Sequence, residues 1–322
     1  MPTISSARRW LSQTDIALRA AILSLASNAV LMALKVSLGL AFGSIALLGD
    51  GVDSGEDLLA SALAFFSVRL AMQPADEEHP YGHGKTESLA AISQAGLIAG
   101  GAVFIAVAAM RRAVMHGGDI VVVPSLIGAG IAAGMNVGVA AYARRAARIS
   151  GSVAIASDAR HLMTNVVQAL AVGLGLVLVG VTGRQIFDPM VAMVLAAYLF
   201  WTAGGIVRTA LNELIDSALP EETLRIIEDC LTHEEHGMLG YHELRTRKSG
   251  REIYIDVHVL VAPTLTVSEA HLLVEHFERD MRGRVPGAVV SIHIDPDEPG
   301  IMDRGMPAGP RRESGLLHLH KH

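Results

Sequence analysis

Two sets of polar side chains recur at one-turn spacing inside long apolar stretches. Asp53 and Asp57 lie four residues apart in DGVDSGEDLLAS, and His161 and Asn165 lie four apart in DARHLMTN. Residues at this spacing share one face of a helix. Stacked carboxylates repel each other unless a cation or protons lie between them. Two aspartates, a histidine and an amide oxygen supply the four ligands of a tetrahedral transition-metal site, so we predict a divalent-metal site here.

Further acids accompany these sets. An ionisable side chain inside an apolar span costs about 3 kcal/mol on insertion scales, so its presence favours a functional role. Asp50 and Glu56 precede Asp57 at helical positions that differ from the Asp53 and Asp57 face, and Asp158 precedes His161. We treat these three acids as candidate helpers at the predicted site.

A short polar segment, QPADEEHPYGHGK, carries a third group. Asp76, His79 and His83 fall within eight residues of one another. One carboxylate and two imidazoles can bind zinc or a similar ion. The alternative is that these loop side chains are merely solvated.

The C-terminal part of the chain contains a fourth group. His242, His258, His293 and Asp295 fall on or beside three predicted strands, and His271 falls on a predicted helix. Residues on neighbouring strands can converge at one edge of a sheet and hold one or two ions. Scattered surface histidines are the alternative. The chain ends in a His-containing segment that we interpret as a flexible appendage.

The elements that must position these groups follow from composition. Half of the residues, 51%, are hydrophobic and only 18% are charged, which is typical of a membrane protein. A helix needs about 20 predominantly apolar residues to cross a bilayer, and six stretches qualify. These predicted spans are Leu18–Phe42, Ser44–Leu70, Leu89–Ala113, Val121–Ala143, Ala154–Val181 and Pro189–Leu211.

Arginine and lysine fall mainly at one set of helix ends, which the positive-inside rule assigns to the cytoplasm. Both termini are therefore predicted to be cytoplasmic. The basic residues on this side include Arg8, Arg9, Arg69, Lys85, Arg144, Arg145, Arg148, Arg160 and Arg208.

After Pro220 the pattern becomes that of a small α+β domain. Alternating apolar residues predict strands, and amphipathic segments predict helices. The predicted order is α-β-β-α-β, a ferredoxin-like or metallochaperone-like domain, with Thr266 or Ser268 capping its second helix. Its elements are Glu221–Thr232, Tyr241–Arg247, Glu252–Val261, Ser268–Arg282 and Val289–Ile294.

Four domains are predicted along the chain. Residues 1–16 form a cytoplasmic segment, 17–217 the six-helix transmembrane domain, 218–297 the metal-binding and dimerisation domain, and 298–322 a disordered tail. The net charge of −6 excludes a basic nucleic-acid-binding face. A single cysteine, Cys230, excludes a disulfide framework and a cysteine-based zinc cluster.

The motifs together resemble the cation diffusion facilitator family from about Ile16 to Pro296. The matching segments, in order, are GSIALLGDGVDSGEDLLAS, PADEEHPYGHGKTESLAA, DARHLMTN, LIDSALP, HELRTRKSG and SIHIDP. The likeness is closest to bacterial zinc and iron efflux members, which are homodimers in the inner membrane that exchange metal for protons.

This resemblance implies roles for individual residues. Asp53, Asp57 and His161 match the transport site, with Asn165 at its fourth position. Lys85 and Asp216 match a charge pair near the hinge between the membrane and cytoplasmic parts. The loop site is matched by Asp76, His79 and His83, and the ion site of the cytoplasmic domain by His242, His258, His271, His293 and Asp295.

Asn165 departs from the family pattern, because the usual fourth ligand is a carboxylate. An amide binds metal more weakly and takes no proton at ordinary pH. Either the cargo is a more oxygen-tolerant ion such as manganese or iron, or a nearby acid compensates, or transport is impaired.

The resulting expectation is a secondary active transporter in the lipid bilayer. It would expel Zn²⁺, Fe²⁺, Mn²⁺ or Cd²⁺ by alternating access and carry protons in return. A metal-responsive membrane scaffold or sensor is the alternative that Asn165 leaves open. An intramembrane metalloenzyme is disfavoured because no HExxH motif occurs.

Overall fold

The computed structural model describes residues 4–42, 45–115, 122–184, 186–232 and 238–297. The predicted tail, 298–322, lies outside the described residues. The chain divides into two compact units: one runs from Leu11 to Leu214, and the other contains the residues from Ile215 onward together with the first ten residues, where α1 begins.

The first unit is built of six long α-helices, as the apolar stretches predict. The longest observed helix, α1, begins well before its predicted apolar span, within the polar N-terminal segment. The six helices are Ile4–Phe42 (α1), Ile45–Ala71 (α2), Thr86–Met115 (α3), Val122–Ser150 (α4), Val153–Thr182 (α5) and Phe187–Leu214 (α6).

Four segments are long and apolar enough to cross a membrane when only the described residues are considered. They are Asp15–Ser37, Thr86–Arg111, Val153–Thr182 and Pro189–Leu214. Acidic residues lower the hydropathy of α2, whereas the side chains of α4 are described only from Gly130 onward. These acidic residues of α2 are the candidate metal ligands of that helix.

Small residues let the helices of this unit approach closely, as is usual in membranes. Alanines at Ala91, Ala95 and Ala102 of α3 pack in a buried cluster with Leu199 and Ala203 of α6. Lipid-facing positions carry large apolar side chains instead.

The start of α5 is fixed by a side-chain cap. Ser152 Oγ accepts a hydrogen bond from the backbone N–H of Ile155, and the same hydroxyl donates to Glu87 Oε2 at the start of α3. Glu87 is fully buried. A carboxylate at a helix N-terminus is stabilised by the helix dipole. This contact sets the position of α5, which carries His161 and Asn165.

The second unit is a small α+β domain with the predicted element order. Its three-stranded sheet has the order β1-β2-β3, with β1 antiparallel and β3 parallel to β2. The strand β2 has the predicted bounds, whereas each of the other elements differs by one or two residues at one or both ends. The observed bounds are Glu221–Leu231 (α7), Gly240–Ser249 (β1), Glu252–Val261 (β2), Val267–Arg284 (α8) and Ala288–Pro296 (β3).

The core of this domain lies on one face of the sheet. Val257 and Val259 of β2 are buried against Ile227 of α7 and Phe277 and Met281 of α8. Side chains alternate between the two faces of a strand, so His258 lies on the opposite face from this core. The helices therefore cover one face and leave the other available for the histidines.

Thr266 is the N-cap of α8, one of the two caps that the sequence predicts. Its side chain accepts from the backbone of Glu269, and the Glu269 carboxylate accepts from the backbone of Thr266. This reciprocal arrangement is a capping box. The hydrogen bond from the Thr266 N–H holds the pKa of Glu269 below its usual value.

Cys230 is expected to be unreactive in the folded protein. The thiol is fully buried in the core of the second domain and donates to Asp280 Oδ2 at 3.3 Å. Burial, followed by the Asp280 carboxylate, raises the pKa of Cys230 to about 12, so the reactive thiolate is suppressed at neutral pH. Maleimide labelling at pH 7.5 should be negligible in the native protein and complete after denaturation. Rapid labelling of the native protein would contradict this packing.

Candidate metal sites

Three of the predicted transport-site residues meet between α2 and α5. His161 Nε2 lies 3.0 Å from Asp57 Oδ1, and Asn165 Nδ2 donates to the same oxygen at 2.8 Å. The helical spacing of four residues places His161 and Asn165 on one face of α5, directed at α2. The side chains of Asp50 and Asp53 lie outside the described residues. Glu56 is exposed.

The hydrogen bonds of His161 indicate where its ring proton resides. Nδ1 is buried and has no partner within the described part of the chain, whereas Nε2 faces a carboxylate oxygen. A neutral imidazole therefore carries its proton on Nε2 and donates it to Asp57. A metal ion at this point would replace that proton, because imidazole binds metal only through an unprotonated nitrogen.

Asp158 contacts a serine of α2, which in turn contacts a serine of α1. Ser61 Oγ donates to Asp158 Oδ1 at 3.2 Å, and Ser24 Oγ lies 2.9 Å from Ser61 Oγ. Asn28 Nδ2 donates to Ser61 Oγ at 2.7 Å and to the backbone oxygen of Asp57 at 3.2 Å. The structure thus places this candidate helper beside the metal-site group, within a second polar cluster.

Sequence reasoning missed the α1 contribution to this region. Ser24 and Asn28 are spaced one turn apart within the apolar span of α1, and that spacing was the available signal. Lys35 is a further missed residue: its Nζ donates to Ser54 Oγ of α2 at 2.9 Å. A lysine next to the acidic segment of α2 brings positive charge close to the candidate site.

The three loop residues lie close together. Asp76, His79 and His83 offer one ligand atom each within 4.8 Å of one another. Asp76 Oδ1 lies 3.3 Å from His79 Nδ1, and Asp76 Oδ2 lies 3.4 Å from His83 Nε2. The backbone N–H of His79, bonded to Asp76 Oδ1, holds the pKa of that carboxyl below its usual value. The carboxylate is therefore ready to bind a cation.

The two residues of the predicted charge pair lie in different units. Lys85 Nζ donates to the backbone oxygen of Leu214 at the end of α6, at 3.2 Å. Asp216 Oδ1 lies 3.6 Å from Arg247 Nη1. The pairing of Lys85 with Asp216 stays a prediction.

The sheet register of the second domain aligns three histidines. His242 pairs with His258 across β1 and β2, and His258 pairs with His293 across β2 and β3. Asp295 follows two residues after His293, so it lies on the same face. Its Oδ2 lies 3.2 Å from His242 Nε2 and 3.0 Å from His258 Nδ1, and its Oδ1 lies 3.3 Å from His293 Nε2.

Glu243 joins this group through a break in the regular strand. A β-bulge lies between His242 and Arg245, and Glu243 has a left-handed backbone with φ of 53°. In a regular strand Glu243 would face away from His242. Here its carboxylate lies 3.7 Å from His242 Nδ1 and 3.6 Å from His258 Nε2. Such strain in a non-glycine residue is concentrated at functional sites.

The resulting cluster contains two overlapping sets of ligand atoms. One set is His242, Glu243 and His258, and the other is His258, His293 and Asp295. His271 is exposed on α8 and belongs to neither set. Burial opposes ionisation of Asp295, but the His258 hydrogen bond and the neighbouring imidazole charges hold the pKa of Asp295 below its usual value. The carboxylate is therefore anionic at neutral pH, as a metal ligand must be.

The chain matches known families along most of its length. Residues 21–215 match the family of cation efflux transmembrane domains, and residues 219–297 match the cytoplasmic domain of cation efflux proteins. These segments correspond to the six-helix unit and to the α+β unit.

Whole-chain relatives agree with these matches. A cation-efflux pump named FieF from Yersinia pestis is 35% identical over 280 residues, covering 86% of this chain and 92% of that protein. An uncharacterised transporter from Synechocystis, sll1263, is 32% identical over 279 residues, covering 86% of this chain and 90% of that protein. With the membrane helices, the α2 and α5 polar group and both domain matches in agreement, the chain belongs to the cation diffusion facilitator family of membrane transporters.

Proposed function

We propose that the protein exports a divalent transition-metal ion, Zn²⁺ or Fe²⁺ foremost, from the cytoplasm in exchange for protons. The observation that carries this proposal is the convergence of Asp57, His161 and Asn165 between two membrane helices. Asp53, one turn before Asp57, would complete the set of ligands. The location would be the inner membrane, with both termini in the cytoplasm.

The hydrogen bond between His161 and Asp57 supports the proposed proton coupling. The atoms that would bind metal, His161 Nε2 and Asp57 Oδ1, lie 3.0 Å apart with a proton between them. An ion about 2.1 Å from each atom cannot coexist with that proton. Metal binding on one side of the membrane therefore displaces protons, and proton binding on the other side releases the metal. Alternating access of the helix bundle would link the two events.

The ligand types favour zinc and iron among the candidate ions. Imidazole nitrogens and carboxylate oxygens suit Zn²⁺ and Fe²⁺, whereas Cd²⁺ favours softer thiolate ligands. The sole cysteine, Cys230, is buried in the core of the second domain. Mn²⁺ remains a secondary candidate because Asn165 replaces a carboxylate with a neutral oxygen.

The loop and cytoplasmic-domain clusters would have separate roles. Asp76, His79 and His83 would bind an ion at the membrane surface, near the proposed Lys85 and Asp216 charge pair. In the second domain His242, His258, His293 and Asp295 would hold a regulatory ion, with Glu243 as a further ligand and His271 added in the homodimer. Binding of the regulatory ion at this cluster would bring two copies of the domain together and favour transport.

Replacing Asp295 with asparagine should remove most of the metal-induced stabilisation of the cytoplasmic domain. Asp295 contacts all three histidines of the cluster, so its loss removes the shared anionic ligand. We expect zinc affinity at this cluster to fall by at least about tenfold, as for outer partners of metal sites. Thermal unfolding of the full chain with and without Zn²⁺ would measure this. Asp297→Asn, an exposed change two residues away, is the matched control and should behave as the parent.

The proposal is tested by the metal content of cells that express the chain. A host strain lacking its own zinc and iron exporters should accumulate less of one of these metals when the parent chain is present. Elemental analysis at matched expression would measure the difference. Unchanged zinc and iron contents, with the chain present in the membrane, would contradict export of these ions.

A further inference from the structure

Asp158 is a buried carboxylate that the proposed transport group does not use. It is fully buried in α5, and Ser61 Oγ donates to its Oδ1 at 3.2 Å. Its other oxygen, Oδ2, has no hydrogen-bond partner within the described residues. No ion pair of Asp158 is found in that same part of the chain. Burying a carboxyl oxygen that has no hydrogen-bond partner costs free energy, particularly inside a membrane domain, unless something binds it.

The groups around Asp158 are neutral oxygen-bearing side chains. Ser24, Asn28 and Ser61 are each at most 1% exposed, and they form a continuous set of contacts through Ser61 Oγ. Asn28 donates its amide hydrogens to Ser61 and to the Asp57 backbone, and its Oδ1 is buried with no partner among the residues that the structure describes. Ser24, Asn28, Ser61 and Asp158 are called the oxygen cluster below.

The oxygen cluster lies one helical turn from the transport group. Ser61 follows Asp57 by four residues in α2, and Asp158 precedes His161 by three in α5. The contact between Ser61 and Asp158 thus lies toward the end of α2 and the beginning of α5. Under the proposed orientation this is the cytoplasmic side. An ion moving from the cytoplasm to Asp57 and His161 would meet the cluster first.

We propose that the oxygen cluster is a second cation-binding site, at which a divalent ion stops on its way to the transport group. The Asp158 carboxylate would supply the charge, and Asn28 Oδ1 with the two serine hydroxyls would supply neutral oxygens. A site built only of oxygen ligands favours Mn²⁺ and similar hard divalent ions over softer ones. The position of the site on the transport path rests on the proposed function, whereas ion binding does not.

The competing explanation is a neutral Asp158 that only hydrogen-bonds to the serines. Asparagine mimics the shape and the hydrogen bonding of a protonated aspartate but cannot supply negative charge. Asp158→Asn therefore separates the two explanations. Ser61→Ala keeps the charge and removes one hydroxyl ligand, so it is a second, milder variant. Ser157→Ala is the matched control, because Ser157 is a buried neighbour whose hydroxyl has no partner in the described chain.

The experiment measures Mn²⁺ binding to the full chain in detergent by electron paramagnetic resonance of the free ion. All variants carry Asp57→Asn and His161→Ala, so that the transport group is already disabled. We expect Asp158→Asn to remove about one bound Mn²⁺ per chain. Ser61→Ala should weaken that binding by about fivefold, the equivalent of about 1 kcal/mol, and Ser157→Ala should leave it unchanged.

Superimposable Mn²⁺ binding curves for the background, Asp158→Asn and Ser61→Ala would overturn the inference. If Asp158→Asn fails to fold, as judged by size-exclusion chromatography, the Ser61→Ala curve alone decides. Loss of binding in Asp158→Asn supports the cluster even if the parent moves no metal in a flux assay. Metal flux in the parent without any effect of Asp158→Asn on Mn²⁺ binding supports the transporter and rejects the cluster.

Discussion

Replacing Asp57 with asparagine should abolish metal movement. The Asp57 carboxylate is the meeting point of His161 and Asn165, so the change removes the anion around which the site is built. Mutation of residues that only hydrogen-bond to metal ligands lowers metal affinity by about 10- to 100-fold. Loss of this ligand should lower the transport rate by at least about a hundredfold. Metal uptake into everted membrane vesicles measures the effect.

The neighbouring acid provides the control for that experiment. Glu56 lies next to Asp57 in α2 but is exposed. Glu56→Gln removes the same amount of charge from the same helix. Because an exposed charge contributes little, the transport rate should fall by about twofold at most. Equal losses in both variants would mean that total charge in α2, rather than the Asp57 site, governs transport.

The largest gain of affinity is expected from Asn165→Asp. Asn165 now donates a hydrogen bond to Asp57, so it contributes no charge to the site. A carboxylate here adds an anionic ligand and should tighten Zn²⁺ binding by about 10- to 100-fold. It also adds one proton-binding group. Zinc affinity should therefore fall more steeply as the pH is lowered, because more protons compete for the same ligands.

Calorimetric titration of the full chain at several pH values would measure both effects. Asn212→Asp, an exposed change in α6, introduces the same charge away from the site and should leave zinc affinity unchanged. An unaltered affinity in Asn165→Asp would show that Asn165 does not face the ion. Metal flux that appears only in Asn165→Asp would favour the scaffold or sensor alternative for the parent.

Much of the metal chemistry could be predicted from local spacing. Residues four apart in a helix share a face, so His161 and Asn165 had to point in one direction. The alternation along β2 likewise predicted that His258 faces away from Val257 and Val259. The pairing of His242, His258 and His293 in one row also needs the strand register, which the sequence leaves open. The order of six apolar spans and the α-β-β-α-β pattern gave the fold.

Other features depend on packing between distant segments. The contacts of Ser61 with Ser24 and Asp158 require α1, α2 and α5 to meet at the same level, and no local sequence pattern predicts that level. Glu243 was missed because the bulge turns it to the histidine face, opposite to what regular alternation predicts. Conversely, His271 shares the composition of the site but lies on an exposed surface of α8, apart from the cluster in a single chain.

The most direct test of the account is metal flux into liposomes that contain only the purified chain. With an acidic interior and Zn²⁺ or Fe²⁺ outside, the parent should accumulate metal while the internal pH rises, and Asp57→Asn should do neither. A fluorescent metal indicator and a pH indicator in the same liposomes report both movements. A parent that moves no metal under this gradient, or an Asp57→Asn variant that matches it, would contradict the claim that α2 and α5 carry the ion between them.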